Sequence, residues 1–433
     1  LYLLALTVPY QSGLKIGEVD VALNVEVGEI SVSITEGVVA LLLAAWAAQM
    51  VVGRAPKPAR SPLLAAVAGL LTALVLSVLV ATDIAMAAKE LLKWGELAAV
   101  YLAGTTLLQT PGQRRTLLVW LVGASLSQAV FGLVQSVLHV GPEHFMIGGV
   151  VMRAYGTFEQ PNPFGGYLGL GLPLAVAVCL FGLAPGLWRR LTAVAAAVIA
   201  TALVLTLSRG AWTAQVVALL LVVTTGSRTA RHAVLTFGAL GLLLLAGLWP
   251  LLPSEFAGRL TSVASSAVDL GSVRDATITP ENWAVLERLS QWFAGWQMFR
   301  AHPLLGVGIG NYDAVYDDYR LEQWPVALGH AHNHYLTIAA EAGLLGFLAY
   351  VAFLVVAFRS AWRARRYAQL MGDPLWMAVA VGILGSLAAF ATHNLFDVLF
   401  VHGMGVTVGL LLALLYVPAR APTTEEGRTT NHH

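Results

Sequence analysis

Charged side chains are scarce in this sequence. Asp, Glu, Lys and Arg make up 11% of its 433 residues, against roughly 25% in a soluble domain. A water-facing surface needs more than that, which excludes a soluble fold with a large core. Neither sign dominates: the formal net charge of +1 names no partner, and no nucleic acid is expected. Cysteine is nearly absent. The single example, Cys179, lies in an apolar run, excludes an intrachain disulfide and reads as a small buried hydrophobe. No signal peptide is visible. The chain starts at Leu1 rather than Met, so residues upstream are expected to be missing. The tail Thr423–His433 reads as disordered, with His432 and His433 as the remnant of a tag.

Apolar residues are what the sequence has in quantity: 58% of positions, with a mean hydropathy of +0.73. They come in blocks long enough to cross a bilayer, which takes about 20 residues per helix. Spans are expected at roughly 36–53, 62–81, 85–107, 116–138, 165–183, 191–207, 211–225, 233–252, 335–358, 375–392 and 398–417. Residues 1–10 read as the end of an earlier span, giving about twelve transmembrane helices in an all-α polytopic protein. The expected division is nine helices over 1–252, an outward loop or cap over 253–334, three helices over 335–418 and a disordered cytoplasmic tail over 419–433.

Orientation follows from Lys and Arg in the short connections. Alternate loops hold Arg54, Lys57 and Arg60, then Arg114 and Arg115, Arg189 and Arg190, Arg228 and Arg231, Arg359, Arg363, Arg365 and Arg366, and the tail Arg420 and Arg428. These are 15 of the 25 basic residues, accompanied only by Asp373, Glu425 and Glu426 of the 24 acidic ones. That face is expected to be cytoplasmic and to carry both termini. The other face carries 11–35, 139–164 and the long segment 253–334, which contains Trp283, Trp292, Trp296 and Trp324. Repeated tryptophans point to helices lying at the membrane interface, here as a small ordered cap.

Charges in or beside spans are costly and stand as functional candidates. Arg209, in Leu205-Thr206-Leu207-Ser208-Arg209-Gly210-Ala211-Trp212, sits at a hinge on the less basic face, where positive-inside bias would not place it. An interfacial arginine snorkelling to headgroups is the plain alternative. The stretch from Arg153 to Phe164 holds Pro161 and Pro163, which keep a chain extended ahead of the span at 165. Glu287-Arg288 leads to His302-Pro303-Leu304-Leu305-Gly306-Val307-Gly308-Ile309-Gly310-Asn311-Tyr312. Its glycines imitate a phosphate-cradling loop but lack the preceding strand and the dinucleotide spacing, so a tight turn between cap helices is the better reading. His330-Ala331-His332-Asn333-His334-Tyr335 opens the span that follows. A histidine there suits a general base. Three alternate histidines also suit a metal, with Asp313, Asp317 or Asp318 as oxygen ligands, and interfacial histidines are the third reading. His393, Asn394 and Asp397 read as an outward turn, with a proton relay as the lesser alternative.

Together these segments resemble the O-antigen ligase and polymerase family of membrane glycosyltransferases. The match is specific in HNHYLTIAAEAGLLG, where His332-Asn333 is followed after nine residues by Gly343-Leu344-Leu345-Gly346. SRGAW at 208–212, RAYGTFEQPNPFGGY at 153–167 and HPLLGVGIGNY at 302–312 support it, and the resemblance covers about 85–400. It implies a GT-C-like fold, a multi-pass bacterial inner-membrane protein with a periplasmic active site, and a glycan donor on undecaprenyl diphosphate. The implied acceptor is lipid A–core in ligases or a second lipid-linked repeat in polymerases. Relatives include protein O-oligosaccharyltransferases, and some members have been regarded as bicarbonate transporters, the reading of a different class. With this resemblance, His332 is expected as the catalytic base of an inverting transfer. Arg209 and Arg288, with Arg153 as a weaker third, are expected to bind the diphosphate. Asn333, His334 and Tyr335 are candidates to orient substrate. No metal or other cofactor is expected, since the ligases resembled are metal-independent. Glu341 lies nine residues past His332, which makes a direct partnership doubtful.

Overall fold

The computed structural model describes residues 1–10, 14–16, 19–21, 24–27, 30–53, 61–227, 273–274, 277–279 and 282–416. Helices dominate: α1 (Tyr2–Thr7), α2 (Ile34–Val51), α3 (Pro62–Ser77), α4 (Ile84–Leu107), α5 (Pro111–Leu138), α6 (Pro161–Ala177), α7 (Leu187–Leu205), α8 (Arg209–Gly226), α9 (Trp283–Ala301), α10 (Tyr316–Tyr319), α11 (His334–Leu370), α12 (Pro374–His393) and α13 (Met404–Leu414). Among the described residues there are also three short antiparallel hairpins, pairing Leu14–Ile16 with Val19–Val21, Asn24–Val27 with Ile30–Ser33, and Met146–Ile147 with Val151–Met152.

Eight helices are long and apolar enough to cross a membrane among the described residues, and the chain is a multi-pass membrane protein. Of the twelve expected spans, 233–252 lies outside the described residues, as do the tail and the first part of the expected cap. A helix, α4, covers the expected span at 85–107, but with Lys89, Glu90, Lys93 and Glu96 it is not one of those eight. The span at 398–417 is shorter than expected. Helix α13 starts only at Met404, because 394–403 runs as a partly buried non-helical stretch with His402 at φ 47° and Gly403 at φ 66°. Side chains take over the backbone bonding that a helix would supply: Leu399 N–H donates to Asn394 Oδ1 and Val398 N–H to Asp397 Oδ1, both at 2.9 Å. Buried backbone groups outside a helix need such partners.

Helix α12 is the centre of the bundle, packed against α6, α8 and α11, while α4 holds α13. Buried small residues allow the close approach that drives helix association in lipid; a Cβ on Gly382 would meet the Leu174 backbone, and one on Gly385 would meet Val222 and Pro173. One end of the bundle is fastened by arginines from the basic connections. Arg114 donates to Leu414 O at the end of α13 and stacks on Trp376, and Arg365 donates to Thr225 O at the end of α8. Cations at helix C-termini satisfy orphan carbonyls and oppose the helix dipole. The starts of α8, α11 and α13 therefore lie at the other end, with the cap.

Helix α6 begins at Pro161 rather than at 165. The two prolines do not extend the chain; they occupy the first helical turn, where a missing N–H costs nothing.

Candidate active site

The motif at 330–335 is built on the N-terminus of α11. Asn333 caps that helix, its Oδ1 accepting the Leu336 N–H at 3.1 Å. Ahead of the cap, His332 is held at φ 49°, a left-handed conformation uncommon for a side chain of this size. The turn is fixed from three sides: Ala331 N–H donates to Thr337 Oγ1, His332 N–H to His330 Nδ1, and His334 N–H to Asn394 O. The last bond docks the motif on the end of α12.

That docking brings Asp397 to His332. Their Nδ1 and Oδ1 atoms are 3.2 Å apart, across 65 residues of sequence. Asp397 is 9% exposed and His332 19%, so the imidazole edge is reachable while its carboxylate is shielded. Burial pushes the Asp397 carboxyl up. The hydrogen bond and charge of His332, with His330 and His393 behind it, outweigh burial and hold the group well below the usual carboxylate range. An ionised Asp397 takes its hydrogen bond from Nδ1–H, which leaves the His332 Nε2 lone pair as the accepting atom. His330 is pushed down to about 4, by burial first and the neighbouring His332 second; it is neutral, with Nδ1 used as an acceptor.

The arginines approach from three elements. Ser208 caps α8, its Oγ accepting the Ala211 N–H, and Arg209 is the first residue of that helix. A Cβ on Gly210 would stand 3.2 Å from Phe396 and 3.3 Å from the His393 ring, so the turn bearing Arg209 packs directly on the 393–397 segment. Arg288 lies in the second turn of α9. Gly295, further along α9, packs on Ala331 and Leu336. Arg153 donates Nε–H to Thr206 O at 2.8 Å and a terminal N–H to Asn162 Oδ1 at 3.3 Å. It braces the α7–α8 turn ahead of Arg209.

Residues 194–351 match the family model described as O-antigen ligase. That segment runs from α7 through the cap and the His332 motif to the broken part of α11, so it contains Arg209, Arg288 and His332. The activity class it supports is glycan transfer of the O-antigen ligase or polymerase type. No curated protein matches the chain. Among solved structures, a chain of the one described as "Structural coordination of polymerization and crosslinking by a peptidoglycan synthase complex" is similar at 18% identity and a TM-score of 0.45. The similarity covers 82% of this chain and 96% of that one.

The ligase motif HN-x9-GLLG has a mechanical explanation here. Helix α11 breaks at Gly343, which has φ 62° and ψ −162°. The carbonyls freed by the break are taken up by the HPLLGVGIGNY loop: Val307 N–H donates to Ala340 O and Gly308 N–H to Glu341 O, each at 2.9 Å, while Leu344 N–H donates to Pro303 O at 2.8 Å. A Cβ on Gly343 would lie 2.3 Å from the Leu304 carbonyl, and one on Gly306 would lie 2.3 Å from the Glu341 carbonyl carbon. The two motifs form one clasp. Its amides are committed to protein, which removes the phosphate-cradle reading of the glycines. Glu341 belongs to the clasp, accepting the Tyr312 N–H at 3.1 Å, rather than to His332.

Three side chains considered as substrate-orienting have structural partners instead. Asn333 is the cap. His334 is 2% exposed, stacked against Trp94 and Phe400 and edge-on to Tyr350. Tyr335 donates its hydroxyl to Ala391 O at 2.9 Å. The metal reading also changes membership. Among the described residues the histidine and carboxylate atoms that converge belong to His330, His332 and Asp397, all within 4.8 Å. Asp313 accepts the Gly329 N–H and Asp317 pairs with Arg320, and neither joins them. Because His330 Nδ1 accepts a hydrogen bond, its Nε2 carries the ring proton, and His332 Nδ1 carries another. The donor set fits proton transfer better than metal ligation. From the sequence Asp397 reads as part of an outward turn, with a proton relay as the lesser alternative; its contact with His332 is what the fold adds.

Proposed function

We propose that this protein transfers a glycan from undecaprenyl diphosphate to an acceptor hydroxyl at the periplasmic face of the bacterial inner membrane, with both of its termini cytoplasmic and lipid A–core as the acceptor. The observation that carries the reading is the contact of His332, inside the matched segment 194–351, with Asp397 beyond it, beside the turn that bears Arg209. In the step proposed, the acceptor oxygen attacks the anomeric carbon from the face opposite the diphosphate and its proton passes to His332 Nε2. The bond from the anomeric carbon to the diphosphate oxygen breaks, that oxygen keeps the electron pair, and the anomeric centre inverts. Asp397 stabilises the imidazolium until it returns the proton to water. A positioned base contributes typically about 10² to 10⁴-fold. Arg209 and Arg288 receive the charge growing on the leaving diphosphate, for which a fixed fork of donors is suited; Arg153 acts by holding the turn. No metal ion enters this scheme.

A polymerase acting on a second lipid-linked repeat, or a protein O-oligosaccharyltransferase, would use the same groups. Offering purified protein each acceptor separates them. A small-anion transporter predicts a site near the bilayer midplane, whereas these groups gather at the helix ends under the cap. The direct test is transfer from a lipid-linked glycan by purified His332→Ala and Arg209→Ala proteins. Both are expected to lose activity by about 10²-fold or more. Wild-type rates in a folded variant remove that residue from the mechanism, and loss of wild-type activity in EDTA that Mg²⁺ or Mn²⁺ restores would revive the metal reading.

A further inference from the structure

The cap carries a second concavity, separate from the His332 site. It is an open cleft of about 690 Å³ between the outer side of α9 and the 318–323 loop, within the range of roughly 300–1,000 Å³ common for ligand sites. Phe293, Gln297 and Arg300 line it at helical spacing along α9, and Tyr319, Arg320 and Arg274 face them. Two aromatic rings, two amides and three guanidinium groups around one cleft are the side-chain chemistry that holds a sugar chain bearing anionic substituents: rings receive sugar faces, and guanidinium forks take phosphate or carboxylate oxygens in pairs.

The cleft is preorganised. Tyr319 Oη lies 3.0 Å from His302 Nε2, Arg320 is fixed to Asp317 at 2.7 Å, and Gln323 donates to Val273 O and Arg274 O, pinning the segment that carries Arg274. Arg274 in turn lies 4.9 Å over the Phe293 ring. Arg300, in the last turn of α9, makes no ion pair or hydrogen bond with the described residues. Asp318 and Glu322 also line the cleft, which suits hydroxyl-rich ligands and rules out a purely electrostatic anion trap. The cleft also shares a helix with the chemistry: Arg288 stands five residues before Phe293 on α9, about 7.5 Å along the axis.

Resting on the transfer reading above, we infer that this cleft binds an acidic oligosaccharide segment of the glycan substrates, through Arg300 and Arg274, while the reacting sugar lies at His332. The site holds substrate away from the bond being made. It therefore contributes affinity and selectivity for charged glycans rather than the chemical step.

Two lipid-free probes distinguish the source of the glycan: a phosphorylated lipopolysaccharide core oligosaccharide for the acceptor, and a uronate-containing repeat-unit oligosaccharide for the donor or a polymerase acceptor. Binding is measured on the purified full chain, for wild type, Arg300→Ala/Arg274→Ala and His332→Ala. Saturable binding of at least one probe is expected, weakened at least tenfold in the double arginine variant and by removal of the probe's charged groups, and unchanged in His332→Ala. No saturable binding of either probe, or equal binding by wild type and the double arginine variant, overturns the proposal. Transfer by the same preparations is scored separately. Normal transfer without cleft-dependent binding sinks the cleft and leaves the transfer reading standing; arginine-dependent binding without any transfer does the reverse.

Discussion

Asp397→Asn isolates the role of the carboxylate. The amide preserves shape but offers Nδ1 either a weaker acceptor or a donor, so the imidazole loses both its fixed tautomer and its countercharge. Transfer is expected to fall by about 10²-fold or more with little change in KM, measured by initial rates on lipid-linked donor. Retention of wild-type kcat would show that His332 is positioned without it. The pH behaviour follows from the sign of the shift. A carboxyl held below its ordinary range stabilises the fold at all pH values above the unfolded-state pKa of about 3.9, and that contribution is lost only as pH falls through the depressed native value. Asp397 is therefore ionised wherever transfer is assayed. Any loss of rate between pH 7 and 5 belongs to other groups, and substituting Asp397 is expected to change the height of the profile at its optimum. Among the arginines, Arg209→Lys keeps the charge and loses the fork; it is expected to keep more activity than Arg209→Ala.

At the scale of single elements, the break in α11 fastens the helix that follows His332 to the 302–312 loop. Continuous helix through Gly343 would leave the 302–312 loop without the carbonyls it caps. Gly343→Ala meets both a backbone conformation that disfavours a Cβ and a contact at 2.3 Å with Leu304. Gly372 provides the comparison, with φ 66° and open space around its Cβ position. Alanine at Gly372 is expected to cost roughly 1–2 kcal/mol from conformation alone, and at Gly343 distinctly more. The check is thermal unfolding of the two variants in the same detergent, and equal shifts would deny that the clasp bears on stability. The sequence exposes this element only in part. Hydropathy sees one long apolar run over 335–358 and is blind to the break, since glycine is nearly neutral in such an average. The motif spacing marks Gly343 as special without saying that Leu304 lies against it.

The whole molecule has two unlike ends. Arg114 and Arg365 cap helices at one of them, and the cap, His332 and the cleft occupy the other. In a chain whose only native cysteine has been removed by Cys179→Ser, a cysteine replacing exposed Asp318 is expected to react with an impermeant thiol reagent from outside the cell. One replacing Arg363 is expected to react only after the membrane is opened. The opposite pattern would invert the orientation and move the proposed chemistry to the cytoplasm.

Membrane residence, most span positions and the division into basic and non-basic faces follow from sequence alone, because a bilayer imposes length and polarity on each segment separately. The motif positions of His332, Arg209 and Arg288 are legible for a similar reason: each is a local departure from an apolar background. Contact between His332 and Asp397 and the diversion of Arg153, Asn333, His334 and Tyr335 to structural partners required the fold. Lipid gives little hydrophobic preference among helix faces, so which faces meet is decided by small-residue fit and by polar groups finding one another. Those choices join residues dozens of positions apart, beyond the reach of any window along the chain.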